Sequence, residues 1–284
     1  MRMNNKIIKI CLGTLIAIFL ATMIIFTIYP IVYAVIGSFK TNSELTAGGS
    51  FLPKSGWQVM NYWEAFIKAN FTKYTMNSII ISFSTMVIAV LTSSLAGYVF
   101  ARQNFVGKKL IMLFYVALMF IALGSVTLYP IYSLLMKFGL HKNIIGLILV
   151  LTGGQSANVL LVMGFIQSIP KELDEAAIID GCSMYGIFFR ILRPLITPIM
   201  AVVALFTFRN AWNDYVTTLV MSISMPKLKT LTVAVVQLKY SMNAAAEWHI
   251  MLAGASIAII PILIVYFFAN KQFISGLTAG AVKG

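Results

Sequence analysis

Six long apolar runs dominate this chain and leave few folds open to it. They lie near Ile10–Ile36, Ser78–Phe100, Leu110–Met136, Ile144–Ile166, Leu195–Ile223 and Ile250–Ala269. Each reaches the about 20 residues that a helix needs to cross the hydrocarbon layer of a bilayer. A helix is also the one open-ended element that satisfies its own backbone polar groups there. The expected fold class is an all-α membrane protein with six transmembrane helices, which puts both termini on one side. No internal repeat and no low-complexity linker separates the runs, so one membrane domain is expected.

Composition agrees. The chain has 284 residues, 60% hydrophobic and 10% charged, against about a quarter charged in soluble domains. Its net charge of +13 is spread over the polar connections. That pattern points to membrane-flanking residues beside lipid headgroups and away from nucleic acid. Two distant cysteines, Cys11 and Cys182, define no disulfide framework, and no metal site is expected. Arg2, Lys6 and Lys9 precede a first run longer than a signal-peptide core and without a small-residue cleavage site, so it is expected to be a retained helix. With the N-terminus inside, eleven Lys and Arg fall on the cytoplasmic side and nine on the outer side. The basic first flank and the compact Arg102–Lys109 connection favour cytoplasmic N- and C-termini. The longest outer connection, Phe39–Asn77, carries Trp57, Tyr62 and Trp63, which read either as interfacial aromatics or as part of a docking surface.

The charged insert Ser168–Pro194 separates the fourth and fifth runs. Ser168 reads as an N-cap and Pro170 as a first-turn residue, with Glu172, Asp174 and Glu175 at the positive end of the helix dipole. Gly181 suits the left-handed conformation that ends a helix. A second helix is expected from Ser183 to Arg193, stopped by Pro194. Ala176 and Ala177 present little side chain, so another protein's backbone could approach closely.

The spacing Glu175-Ala176-Ala177, three residues, Gly181, nine residues, then Ile191-Leu192-Arg193-Pro194 resembles the EAA loop of ABC-importer permeases, departing only at Arg193. The resemblance extends to Gly97-Tyr98-Val99-Phe100-Ala101-Arg102 with Phe105 and Gly107, to Ala211-Trp212-Asn213-Asp214, and to the ending Gly276–Gly284. The last is similar to the tail of the carbohydrate-uptake, maltose-permease-like branch. What this implies is a type I ABC importer permease (MetI-like) fold in the cytoplasmic membrane of a prokaryote, importing a sugar or oligosaccharide. It also implies three kinds of partner: a second homologous permease, two ATP-binding subunits and an extracytoplasmic sugar-binding protein. By the same likeness Glu175, Ala176, Ala177, Asp180 and Gly181 form the element that couples to the ATPase. The chain has no G-x-x-x-x-G-K-[ST] phosphate loop, so it is expected to be no enzyme and to hold no cofactor, with ATP and Mg used by the partner ATPase. The expected divisions are 1–75 for the first helix and outer loop, 76–272 for the permease core with its coupling loop at 168–194, and 273–284 for a cytoplasmic tail that contacts the ATPase.

Two polar interruptions remain. Arg209, Asn210, Trp212, Asn213 and Asp214 fall near the middle of the fifth run, with Asn210 and Asp214 four apart on one helix face. Charge inside a bilayer costs about 2.5 kcal/mol or more, so these groups should face protein or water. They read either as a sugar pathway or as a polar knot between helices. Thr152–Asn158 interrupts the fourth run with Gly153 and Gly154. It reads as backbone lining a cavity or as close small-residue packing.

Overall fold

The structure, a computed structural model, describes residues 2–120, 124–240 and 246–281. Every regular element among them is helical, apart from one isolated bridge between Tyr240 and Ala246. In order these are α1 (Arg2–Gly37), α2 (Asn42–Ala47), α3 (Met60–Lys68), α4 (Phe71–Arg102), α5 (Lys108–Phe120) and α6 (Leu128–Lys137). Then come α7 (Ile144–Thr152), α8 (Ser156–Gln167), α9 (Glu172–Ile179), α10 (Met184–Gly186), a π-helical stretch (Ile187–Leu192) and α11 (Arg193–Leu195). The last are α12 (Thr197–Asn213), α13 (Val216–Ser224), α14 (Leu231–Gln237) and α15 (Trp248–Ala281).

Three helical stretches, Leu12–Gly37, Phe71–Arg102 and Trp248–Phe267, are long and apolar enough to cross a membrane. Two bent pairs qualify if each is one span: α7 with α8, bent by 52°, and Met184–Leu195 with α12, bent by 78°. The third apolar run holds α5 and α6, and residues 121–123 between them lie outside the described residues. At the other end, α15 carries the backbone helix through Ala281, and residues 282–284 of the expected tail lie outside the described residues.

The chain divides into two compact units. The first joins residues Met1–Phe71 to Val235–Ala258. Here α2 is fixed by a reciprocal capping box between Thr41 and Glu44. Glu44 also accepts the backbone N–H groups of Lys54 and Ser55 at 2.9 and 2.6 Å. Asn61 donates to the carbonyls of Ser38 and Lys40, and the Tyr62 hydroxyl pairs with Ser38 Oγ at 2.7 Å. Tyr62 is therefore stitched inward, while Trp57 and Trp63 stay exposed.

The second unit joins Thr72–Ala234 to Ile259–Gly284. Along α4 a buried stripe of Ser78, Ser82, Thr85, Ala89 and Ser93 replaces bulky side chains. Small residues let helix backbones approach closely where lipid offers no hydrophobic drive between helices. Gly97 marks the tightest approach of α4 to α8, since a Cβ there would lie 2.8 Å from Val162 Cγ1 and 3.1 Å from the Met163 nitrogen. Two apolar cores result. One gathers Tyr98, Val162, Ile166, Phe188, Leu192 and Ile196, and the other gathers Ile81, Leu135, Leu147, Ile148 and Met221.

Candidate functional site

The insert between α8 and α12 folds as two short helices joined by a tight turn, as its residues require. Its entry differs from expectation. Ser168 closes α8 instead of capping α9: its hydroxyl bonds back to the Phe165 carbonyl at 2.7 Å. Pro170 stays outside α9, which starts at Glu172 with no side-chain cap. Glu172, Asp174 and Glu175 fill the first turn instead, placing negative charge on the unpaired N–H groups there.

The exit matches the glycine argument. Gly181 adopts φ of +77°, Cys182 N–H donates to the Ala177 carbonyl at 2.9 Å, and Gly181 N–H donates to the Ile178 carbonyl at 3.0 Å. That pair of bonds is a Schellman closure. Ser183 then caps the next helix by accepting the Gly186 N–H at 3.2 Å. Contrary to expectation, Pro194 does not end this helix. It sits in the first turn of α11, directly after the π-helical stretch, and the chain bends only at Ile196. A wider π turn precedes the proline ring, so the ring meets no regular α turn. Arg193, the one departure from the motif, is exposed and buries no charge.

The structure separates the two alanines. Ala177 is 4% exposed and belongs to the core of Tyr98, Val162, Ile187, Phe188 and Leu192. Its small size serves this chain's own packing, so the expectation that it offers room to a partner is corrected. Ala176 is exposed, as are Glu172, Glu175, Ile179 and Asp180. Glu172, Glu175, Ala176 and Ile179 recur at helical spacing and form one outward stripe, with Ile179 86% exposed at its end. The inward side is tied by charge. Asp174 lies 2.5 Å from Arg102 Nε, and Arg102 Nη2 donates to the carbonyls of Ile169 and Pro170 at 2.9 and 3.4 Å. Sequence reading missed this pair, because the two residues lie on different elements and share no local pattern.

The second candidate is a polar cavity of about 260 Å³ lined by Gly153, Gly154, Gln155, Asn158, Thr207, Asn210 and Asp214 among others. Two helix breaks meet there. Between α7 and α8, Gly153 is extended and Gly154 takes φ of +72°. The second break corrects the expected continuous fifth span: α12 ends at Asn213, and Asp214 is extended. The cause is local competition, since Asp214 Oδ1 accepts both the Thr218 N–H at 2.8 Å and the Thr218 hydroxyl at 2.9 Å, capping α13. Asn210 and Asp214 therefore share a cavity and not a helix face. Asn158 Nδ2 reaches Thr207 Oγ1 at 3.2 Å across the cavity wall.

The other three residues lie elsewhere. Trp212 is buried, stacks on Phe208 with centroids 5.7 Å apart, and accepts the Thr232 hydroxyl at its carbonyl. Arg209 is exposed, donates to Asn210 Oδ1 at 3.3 Å and lies over the Phe206 ring. Asn213 is exposed and does not line the cavity.

Residues 89–278 match the family described as binding-protein-dependent transport system inner membrane component. The maltodextrin transport system permease protein MdxG of Bacillus subtilis (strain 168) is 30% identical over 285 residues, covering 100% of this chain and 98% of that protein. The arabinooligosaccharides transport system permease protein AraQ of Halalkalibacterium halodurans is 32% identical over 278 residues, covering 96% and 97%. In fold, the chain resembles one from the crystal structure of a bacterial ABC transporter involved in the import of the acidic polysaccharide alginate. The TM-score is 0.76 at 20% identity, covering 92% of this chain and 96% of that one.

Proposed function

This chain belongs to the binding-protein-dependent transport system inner membrane components, and we propose that it is one of two permease subunits of an ATP-driven sugar importer. Six spans with cytoplasmic termini hold it in the membrane. A second, similar permease completes the channel, two ATP-binding subunits use ATP and Mg on the cytoplasmic side, and an extracytoplasmic binding protein delivers the sugar. The relatives named for maltodextrin and arabinooligosaccharides support a carbohydrate cargo.

The observation that carries this reading is the outward stripe Glu172, Glu175, Ala176 and Ile179 on α9. It is small and apolar at its centre, rimmed by carboxylates, and set at a fixed angle by the turn at Gly181. Such a face suits a partner's cleft better than it suits water. The test is uptake of labelled malto- and arabino-oligosaccharides into vesicles holding the chain with its companion permease, ATPase subunits and binding protein. Uptake should need ATP and every component. ATP-independent uptake by this chain alone would overturn the proposal.

For the cavity, Asn210 and Asp214 beside Gln155 and Asn158 favour a place on the sugar's path, because amides and carboxylates match hydroxyls in both donor and acceptor roles. Trp212 serves packing. Asn210→Leu should alter uptake kinetics at normal membrane abundance; failed assembly would support the polar-knot role instead.

A further inference from the structure

An element that couples to a motor needs a firm attachment as well as an exposed face. Apart from its chain ends, α9 is held to the rest of its unit by the Ala177 methyl in the apolar core and by Arg102. A methyl group resists sliding weakly. Arg102 does more: one guanidinium binds the first turn of α9 through Asp174 and its lead-in through the carbonyls of Ile169 and Pro170. The side chains are 5% and 15% exposed, so water screens the pair little. Each charge also sits where a helix dipole favours it, Arg102 in the last turn of α4 and Asp174 in the first turn of α9.

We propose that Arg102 and Asp174 are positioning residues that join the coupling helix α9 to the end of α4, so that displacement of α9 is passed into that long helix. This rests on the reading of α9 as the ATPase-coupling element. Behind the joint, Gly97 fits α4 tightly against Val162 of α8, and Tyr98 packs on Phe188 with centroids 5.3 Å apart. The end of α4, α8 and the π-helical stretch therefore follow the joint as one packed body. Arg102 Nη1 and Asp174 Oδ1 are buried without a hydrogen-bond partner. Polar groups left so are costly for stability alone, which suits a contact kept for connection.

The test uses the complete complex and reads two quantities: ATPase subunits that co-purify, and the fold stimulation of ATP hydrolysis by saturating binding protein. The pair is removed together as Arg102→Met with Asp174→Leu, which leaves no lone buried charge. Arg102→Lys keeps a cation for Asp174 and serves as the rescue. Ala176→Trp reports separately on whether α9 docks the ATPase. The paired variant should keep its ATPase subunits but lose stimulation by about fivefold or more, the range of ordinary coupling between sites, with Arg102→Lys retaining most of it. Unchanged stimulation in the paired variant, with Ala176→Trp disruptive, overturns the joint alone. Loss of membrane abundance and ATPase subunits together in the paired variant assigns the pair to folding and also overturns it. If Ala176→Trp leaves association and stimulation intact, the coupling reading itself falls.

Discussion

Adjacent alanines on α9 face opposite ways, so the same substitution at each asks two different questions. Ala177 is 4% exposed and packed among Tyr98, Ile187 and Phe188. Forcing an indole into that space should cost about 1–3 kcal/mol or more of folding stability, since each about 1.4 kcal/mol is tenfold in population. Membrane abundance of Ala177→Trp should fall for this reason, whatever the partner does. Ala176 lies in the open, where a surface change is worth about 0.5 kcal/mol or less in folding. If the outward stripe seats in an ATPase cleft, the same overpacking of about 1–3 kcal/mol appears there, as a loss of association of about 5- to 150-fold. The assay is a tagged permease in membrane vesicles, with abundance and co-purified ATPase measured on the same sample. Ala176→Trp should give normal abundance and depleted ATPase; Ala177→Trp should give reduced abundance. Normal association and ATP-driven uptake with Ala176→Trp, or normal abundance with Ala177→Trp, would refute the assignment of the two faces.

Gly181 has φ of +77° and open space where a Cβ would stand, so Gly181→Ala should cost about 1–2 kcal/mol from backbone strain alone. Gly181→Val should cost more because of its β-branch, read as the temperature at which detergent-solubilised permease precipitates; equal midpoints for wild type and Val would contradict this. At Gly97 the obstacle is steric, with Val162 and the Met163 backbone inside 3.2 Å of a new Cβ. Gly97→Val should therefore lower membrane abundance more than Gly181→Val does.

The parts legible in the sequence were those written in local chemistry. A glycine six residues after a first-turn Asp and Glu pair announces a helix stop, and the turn at Gly181 has the predicted handedness. The apolar runs located the long helices for the same reason, since length and hydropathy are local sums. What hydropathy could not register was where a run breaks. Asp214 ends α12 by capping α13 through Thr218, a choice between two hydrogen-bond partners that leaves the average unchanged. Nor could residue size alone tell which neighbour an alanine accommodates: Ala177 is small for Phe188 and Tyr98 of this chain, and Ala176 is free. Arg102 looked like ordinary flanking charge because its partner belongs to a distant segment.

The π-helical stretch Ile187–Leu192 bears on what lengths this loop tolerates. It holds one residue more than an α-helical turn would over the same path. Deleting a single residue there would restore a regular helix and need not break the chain's continuity. It would, however, rotate everything beyond by about 100°, one residue's share of a turn. Leu192 and Ile196, now fully buried, would then be carried away from the core. The nine-residue interval between Gly181 and Ile191 is thus a phase setting, and an insertion or deletion within it changes which face of the following helix meets the protein.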